Sequence, residues 1–157
     1  MTIDTHIKFD GIEGESTNKD HKGEIEVLSW NWNVSASMPA SGGASRAGKA
    51  VPGDFVFTHK YDKSSPVLAK NCAKGTALKQ VYLTARKAGE GQKDFIKITM
   101  KEVFIASVQS ASDPNDIGET VSLKYASIDF GYKPVDAKGA LGTEVAFSWD
   151  QKTGKIT

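Results

Sequence analysis

The feature that most constrains this chain is an alternation of apolar and polar residues in two long segments, 93–109 and 118–133. A period of two is typical of β-strands with one buried face, because successive side chains point to opposite sides. In both segments the apolar residues change parity halfway, which moves the buried side chains to the other face of the strand. The residues before and after the change are Ile96, Ile98 and Met100 against Val103 and Ile105 in the first segment, and Val121, Leu123 and Tyr125 against Ile128, Phe130 and Tyr132 in the second.

The two changes of parity fall at one level if the segments form a hairpin with its turn at Asp113–Asp116. When Ser110 faces Gly118 in that hairpin, Glu102 faces Ala126, and both residues lie at the changes. Two paired strands that change faces together indicate a sharply bent sheet. The sequence therefore predicts a mainly β fold, either a bent β-barrel or a tight sandwich of two sheets.

Shorter segments with the same alternation predict further strands. A change of parity after Val27 predicts a bulge or bend there. The residues predicted to be buried are Ile3, Thr5, Ile7 and Phe9; Ile25 and Val27, followed on the other parity by Leu28, Trp30, Trp32 and Val34; Phe55, Phe57, His59 and Tyr61; Val81, Leu83 and Ala85; and Val145, Phe147 and Trp149.

One short helix is predicted between these strands. It begins at Ser65, a residue able to cap it, has Pro66 at its first position and ends before Gly75. Leu68 gives it one apolar face, so we expect it to pack at the side of the sheet. The run Val103–Ala106 is apolar on both parities and needs cover on both faces, which either this helix or a neighbouring subunit supplies.

The length and charge of the chain limit its class. Its 157 residues are typical of one domain, spanning 1–157. Lys and Arg number 20 against 19 for Asp and Glu, so no bulk charge favours nucleic acid, and no apolar run is long enough to insert into a membrane. Cys72 stands alone, which excludes an internal disulfide. The start of the chain lacks the pattern of a signal peptide, so we expect synthesis and folding in the cytoplasm.

Residues 35–52 form a long loop rich in Gly, Ser and Ala between two predicted strands. Loops longer than about 12 to 15 residues are uncommon in compact domains unless they are functional or disordered. The composition fits an arm that becomes ordered against a partner, and it equally fits plain disorder.

The sequence predicts neither an enzyme nor a cofactor or metal site. Gly43–Ala50 approaches a phosphate-binding pattern, but Ala50 stands where a hydroxyl would bind magnesium. His6, His21 and His59 lack the spacing of metal ligands, and ordinary surface or core roles are expected for them.

Trp30 and Trp32 share one face of a predicted strand with Leu28 and Val34. Such a mixed apolar stripe normally points into a core or a subunit interface. If the two indoles are exposed instead, they can stack on sugar rings or bases. The alternative function is then a monomeric β-sandwich binding module for carbohydrate or another small ligand.

Several segments of this chain, in their order and spacing, resemble one family over nearly the whole length. They are Ile7–Ser16, His21–Trp32, the Gly-rich loop at 35–52, Arg86–Gly89 and Ile98–Val103. In combination they resemble the Hcp proteins (hemolysin-coregulated proteins) of bacterial type VI secretion. The resemblance implies a β-barrel like that of phage tail tubes, with a helix at its side.

The resemblance also implies an assembly. Six copies close into a ring, and rings stack into a tube that lies in a contractile sheath and is topped by a spike protein. The tube carries effector proteins in its lumen and leaves the cell without a cleaved signal peptide. The implied partners are therefore copies of the chain, the sheath, the spike and effectors, with no nucleic acid and no insertion into a membrane.

Two parts of this sequence correspond to functional regions of the family. The loop at 35–52 is expected to contact neighbouring subunits or the next ring, and the turn at 113–116 is expected to border the lumen. The loop residues are Met38, Gly42, Gly43, Arg46, Lys49 and Val51, and the turn residues are Asp113, Asn115 and Asp116.

Overall fold

The structure is a computed structural model that describes residues 2–37, 50–89 and 91–157. Within these ranges the chain forms eleven β-strands and one α-helix. They are β1 (Ile3–Phe9), β2 (Ile25–Val27), β3 (Ser29–Asn31), β4 (Val34–Ala36), β5 (Ala50–Pro52), β6 (Phe55–Lys60), α1 (Ser65–Lys74), β7 (Leu78–Lys87), β8 (Ile96–Ser112), β9 (Ile117–Tyr132), β10 (Val145–Asp150) and β11 (Lys155–Ile156). The predicted class, mainly β with one short helix, is confirmed.

The long hairpin of β8 and β9 organises the main sheet. β8 pairs with β7, β7 with β1, and β1 with β2. On the other edge of β9, residues 118–123 pair with β6, and residues 127–132 pair with β10. One strand edge serves two partners because β9 bends between the two stretches.

The strands wrap around the core without forming an uninterrupted barrel. β2 pairs with β1, whereas β3 pairs with β6. Between them the amide of Leu28 donates a hydrogen bond to the carbonyl oxygen of Thr58 (2.8 Å). The chain thus changes its partner strand just after Val27, where the change of parity predicts a bulge or bend.

The predicted bend in the long hairpin lies at Glu102. This residue stands opposite Ala126, between paired residues on either side. It has a φ of 50°, a left-handed conformation that is uncommon outside glycine. The local distortion moves the buried side chains of both strands to the other face, as the change of parity predicts.

The predicted register of the hairpin turn is wrong by one residue. A register shift lies between Ile105 and Ser107, and it inserts one extra residue into β8. Ala111 therefore faces Gly118, and Ser110 does not. A bulge of this kind changes the pairing beyond it without disturbing the bend before it.

The core is one cluster of side chains from both halves of the bent sheet. A large apolar side chain that is fully buried contributes roughly 1.5–3 kcal/mol. The core residues that are at most 1% exposed are Ile7, Phe9, Ile25, Phe55, Phe57, Leu68, Val81, Leu83, Ile98, Met100, Val103, Val121, Leu123 and Ile128.

Six residues predicted to be buried are exposed instead. Leu28 is 63% exposed, Val34 49% and Val145 67%. Leu28 lies where the chain changes its partner strand, Val34 belongs to the separate pair of β4 and β5, and Val145 begins β10 at an end of the sheet. Ile3, Tyr61 and Tyr132, also predicted to be buried, are exposed at or just beyond the ends of strands.

The predicted helix is present with its predicted bounds. Pro66 lies in its first turn, and Gly75 ends it with a left-handed φ of 64°. The cap residue is Ser64, not Ser65, and its hydroxyl donates to the Asp62 carboxylate instead of accepting a hydrogen bond from a helix amide. Leu68 is buried, and the helix packs against β8. Within the described ranges, no helix is long and apolar enough to cross a membrane.

Candidate assembly surface

The described ends of the predicted loop form a short arm. Ser35 pairs with Val51, and Ala36 pairs with Ala50, in the antiparallel ladder of β4 and β5. The prediction of an unpaired loop over 35–52 is therefore wrong at both ends. Val51 is 58% exposed, and its apolar side chain is available for contact.

Val51 is the predicted loop residue that the structure describes. The role of the arm in contacting neighbouring subunits stays a prediction. Met38, Gly42, Gly43, Arg46 and Lys49 lie outside the described residues, as does most of the segment that resembles a phosphate-binding loop.

The root of the arm is fixed to β9 by a buried tyrosine. The Trp32 indole Nε1 donates to the Tyr125 hydroxyl (2.6 Å), and this hydroxyl donates to the carbonyl oxygen of Gly53 (2.6 Å). The Gly53 amide donates to the carbonyl oxygen of Asn33 (2.8 Å), so both ends of the arm meet here. Burial raises the pKa of Tyr125 and keeps its hydroxyl protonated.

The two tryptophans pack against the core. The Trp30 ring stacks on Phe55, with ring centroids 5.6 Å apart and planes at 14°. The Trp32 ring lies 4.7 Å from Phe130 and 6.5 Å from Phe147. Both indoles are half-buried, so the structure favours the packing interpretation over the carbohydrate-binding alternative.

The residues predicted to border the lumen form the tight turn between β8 and β9. The carboxylate of Asp113 accepts hydrogen bonds from the amides of Asn115 (2.7 Å) and Asp116 (3.0 Å). The Asp113 amide donates to the carbonyl oxygen of Asp116 (2.9 Å). These bonds account for the acidic residues as turn formers, and the role of the turn in the lumen stays a prediction.

Two exposed apolar patches lie at opposite ends of β9. In the first patch, Tyr132 pairs with Val145, and the Phe95 ring meets the Tyr132 ring edge-on with centroids 6.2 Å apart. In the second patch, the amide of Tyr61 donates to the carbonyl oxygen of Ile117 (2.9 Å). The side chains of Tyr132, Val145, Tyr61 and Ile117 are all exposed. We call these the Tyr132–Val145 patch and the Tyr61–Ile117 patch.

A buried polar cluster surrounds His21. His21 Nδ1 is 2.9 Å from a Glu24 carboxylate oxygen, and Nε2 is 3.1 Å from an Asp94 carboxylate oxygen and 3.1 Å from Arg86 Nη2. Arg86 donates to Asp94 and to Asp20, each at 2.8 Å. We define the His21 cluster as His6, Asp20, His21, Glu24, Thr84, Arg86 and Asp94.

The charged groups of this cluster shift one another's pKa values. Burial raises the pKa of Asp94, but hydrogen bonds from Arg86 and His21 outweigh burial and lower the pKa overall. The hydrogen bond from Arg86 lowers the pKa of Asp20, and the bond to Asp94 raises the pKa of Arg86. At neutral pH the cluster therefore holds two carboxylates and a guanidinium in their charged forms.

A second buried histidine has a different environment. His59 on β6 faces Glu119 on β9, with 2.8 Å between Nε2 and a carboxylate oxygen, and both side chains are at most 1% exposed. The Ser110 hydroxyl donates to the other oxygen of Glu119 (2.9 Å). Ser110 bonds to the carboxylate and not to the histidine, which is not the arrangement of an activated nucleophile.

The expectation that the histidines have core roles agrees with these positions. Among the described residues, no group of three or more His, Cys, Asp or Glu side chains could hold a metal ion. Sequence reasoning missed both polar clusters, although it placed His59 on a buried parity, where a histidine needs a partner.

Three solved structures share this fold. One, described as a type six secretion system protein, has a TM-score of 0.92 at 26% identity and covers 99% of this chain and 100% of its own. Hcp1 of Salmonella typhimurium has a TM-score of 0.80 at 31% identity and covers 100% of both chains. A type VI secretion system effector from Yersinia pestis has a TM-score of 0.76 at 33% identity and covers 94% of this chain and 99% of its own. The fold thus defines the class, that of type VI secretion proteins.

The sequence places the chain in one family of that class. Residues 6–132 match the family described as "Type VI secretion system effector, Hcp". The chain is 39% identical over 155 residues to Protein hcp1 of Pseudomonas aeruginosa, and the match covers 96% of each protein. This chain belongs to the Hcp family, and the resemblance carried by its segments is confirmed.

Proposed function

We propose that this chain is a tube subunit of a type VI secretion system, with hexameric rings that stack into a tube. The tube is propelled by a contractile sheath, is topped by a spike protein and carries effector proteins in its lumen. The subunit folds in the cytoplasm and leaves the cell without a cleaved signal peptide. Membership of the Hcp family supports this function.

The observation that carries the proposal is the pair of unlike apolar patches at the two ends of β9. A ring in which every contact is the same joins one surface of a subunit to a different surface of the next. The Tyr132–Val145 patch and the Tyr61–Ile117 patch provide two such surfaces on one chain. Contacts of this kind remove apolar side chains from water, which stabilises the ring by roughly 25 cal/mol per Å² of apolar area.

The arm supplies a third contact, between rings. Its root is fixed by Tyr125, so Val51 projects from the sheet in a defined direction. A rooted arm loses less conformational entropy on binding than a free loop does. This property suits a contact that must form again in every ring of a tube.

The mass of the protein in solution tests the ring. Native mass spectrometry is expected to find six times the 16.9 kDa of one chain. Val145→Asp is expected to give mainly single chains, because a carboxylate buried in the contact weakens association by about 100-fold or more. Val145 is 67% exposed, so its replacement leaves the fold of the subunit intact.

Val145→Thr is the matched control, since it keeps the shape of valine without adding a charge. We expect Val145→Thr to retain most of the rings. Single chains from the unaltered protein at high concentration would contradict the ring. Rings that survive Val145→Asp would exclude the Tyr132–Val145 patch as the contact.

A further inference from the structure

Segment 14–24 folds back on itself through a short ladder of backbone hydrogen bonds. The amide of Gly14 donates to the carbonyl oxygen of Gly23 (2.7 Å), that of Ser16 to Glu24 (2.9 Å), and that of Gly23 to Ser16 (2.9 Å). A Cβ at Gly14 would lie 2.5 Å from the Glu24 carbonyl oxygen, so the two strands of this ladder touch. The ties from the segment to β1 and β7 are side-chain contacts of the His21 cluster.

The contact with β1 is a stack of two imidazole rings. The His6 and His21 rings lie 4.8 Å apart with their planes at 11°. His6 is 3% exposed and His21 is 6% exposed. Within the described residues, His6 Nδ1 and one oxygen of Glu24 are buried without a hydrogen-bond partner. A proton added to His6 Nδ1 therefore finds no acceptor in place.

Charged groups face His6 from each neighbouring element. Glu26 on β2 and Thr84 on β7 lie directly across from it. Burial and the neighbouring His21 lower the pKa of His6, and they outweigh the opposing effect of the carboxylates. The groups around it are Asp4 on β1, Glu26 on β2, Thr84 and Arg86 on β7, Asp20, His21 and Glu24 in segment 14–24, and Asp94 before β8.

We propose that the stacked rings of His6 and His21 form a proton-sensitive latch, which holds segment 14–24 on β1 and β7 at neutral pH and releases it in acid. This inference goes beyond the proposed tube function and does not depend on it. In the closed latch His6 is neutral. In acid His6 takes up a proton. Its positive charge then lies against the ring of His21, which already has the guanidinium of Arg86 beside it, and the stack opens.

The direction of the effect follows from the pKa of His6. Because this pKa is lower in the folded chain than in the unfolded chain, the open form takes up the proton more readily. The stability that His6 contributes is fully present above about pH 6.5, the ordinary value for histidine. It is lost as the pH falls from there through the lowered pKa of the folded form.

His59 also has a buried Nδ1 without a partner among the described residues, but it lacks the stacked imidazole of the latch. Its ring has Glu119 at 2.8 Å, and no second imidazole is stacked on it among the described residues. A carboxylate partner offsets the charge of a protonated histidine. The strands that carry His59 and Glu119 therefore provide an internal reference for the experiment.

Hydrogen exchange of the intact protein tests the latch. The probes are the amides of Gly14, Ser16 and Gly23, and the reference is the amide of Tyr61, which donates to Ile117 beside the other pair. Between pH 7.5 and 5.0 the protection factors of the three probes are expected to fall by about tenfold, because the open form takes up the proton more readily. The protection factor of the reference is expected to change by less than about twofold.

His6→Phe is the decisive variant, because a phenyl ring keeps the stack but takes up no proton. In this variant the probes are expected to keep their protection at pH 5.0. The same fall in His6→Phe as in the unaltered protein would overturn the proposal. So would an equal fall at the reference amide, since the whole subunit would then be opening.

A second measurement does not depend on the variant. The imidazole signals of His6 in the unaltered protein are followed by NMR over the same pH range. His6 is expected to take up its proton at a lower pH than an ordinary histidine does, because its pKa is lowered, and together with the loss of protection at the probes. Protonation of His6 while the probes stay fully protected would overturn the latch.

Discussion

The arm and segment 14–24 both leave the sheet, and buried side chains tie each of them back to a neighbouring strand. The root of the arm is tied by Tyr125 and Trp32, whose hydrogen-bonding groups stay neutral across about pH 5 to 8. Segment 14–24 is tied by His21, whose Nε2 lies 3.1 Å from an Asp94 carboxylate oxygen, and by Arg86, which donates to Asp20. The tie at the arm's root consists of neutral hydrogen-bonding groups, whereas the tie of segment 14–24 consists of charged and titratable groups.

This difference means that one subunit can have two surface segments, of which one responds to pH and the other does not. Because its tie is neutral, we expect the root of the arm to keep its position between about pH 5 and 8, which suits the proposed contact between rings. The latch contacts β1 and β7, whereas the arm's root is bonded to Tyr125 on β9, so the latch can open without moving the arm's root. Substitutions in each tie test this difference.

The largest effect is expected from Arg86→Met. The side chain of Arg86 is 10% exposed and bonds to Asp94, Asp20 and His21. Removing it leaves partly buried acceptors without their donor, and we expect the free energy of unfolding to fall by about 3 kcal/mol. The pKa of Asp94 should also rise toward its value in the unfolded chain, so the part of the stability loss in acid that comes from Asp94 should become smaller. Urea unfolding between pH 3.5 and 7.5 measures both effects.

Lys79→Met is the control for this variant, because Lys79 is exposed on the same strand. Its free energy of unfolding should stay within about 0.5 kcal/mol of that of the unaltered protein. Equal stability of the two variants would show that the His21 cluster does not tie segment 14–24.

The bend could be predicted from the sequence because it leaves a local pattern. A parity change in each of two paired strands locates Glu102 and Ala126 without any knowledge of the tertiary structure. The bulge after Ile105 leaves such a signal too, since Val108 returns to the core on the opposite parity. That single residue is easily taken for part of the turn region, which is why the predicted register was wrong by one.

The polar ties could not be predicted in the same way. Their partners are far apart in sequence, as are Trp32 and Tyr125 or His21 and Asp94. The alternation places Trp32 and Tyr125 on buried faces, but only the pairing of strands brings the partners together. The exposure of Val145 likewise depends on where the sheet ends, which alternation does not encode.

An intermediate effect is expected from Tyr125→Phe. Loss of the hydroxyl removes the bond to the Gly53 carbonyl oxygen and leaves the Trp32 Nε1 without its acceptor. We expect the free energy of unfolding to fall by about 1.5 kcal/mol and the association of rings to weaken. Urea unfolding and native mass spectrometry measure the two effects. Tyr82→Phe, on β7, is the control and should change stability by less than about 0.5 kcal/mol.

The pH dependence of this variant tests the contrast directly. Because burial raises the pKa of Tyr125, its hydroxyl contributes fully below about pH 10 and is lost only as the pH rises beyond that value. The cost of Tyr125→Phe should therefore be the same at pH 5.5 and pH 7.5. A cost that depends on pH in this range would mean that the arm shares the proton sensitivity of the latch.

The smallest effect is expected from Lys124→Met, which removes the ion pair between Lys124 and Asp54 beside the arm's root (3.0 Å). Lys124 is 67% exposed, and pairs in water contribute little because solvent and salt screen them. We expect a loss of at most about 0.5 kcal/mol, and 0.5 M NaCl should abolish it; Lys101→Met, at an exposed position on β8, is the control. A loss above about 1 kcal/mol that disappears in salt would show that the arm's position depends on charge, and the distinction between a neutral tie and a titratable tie would fail.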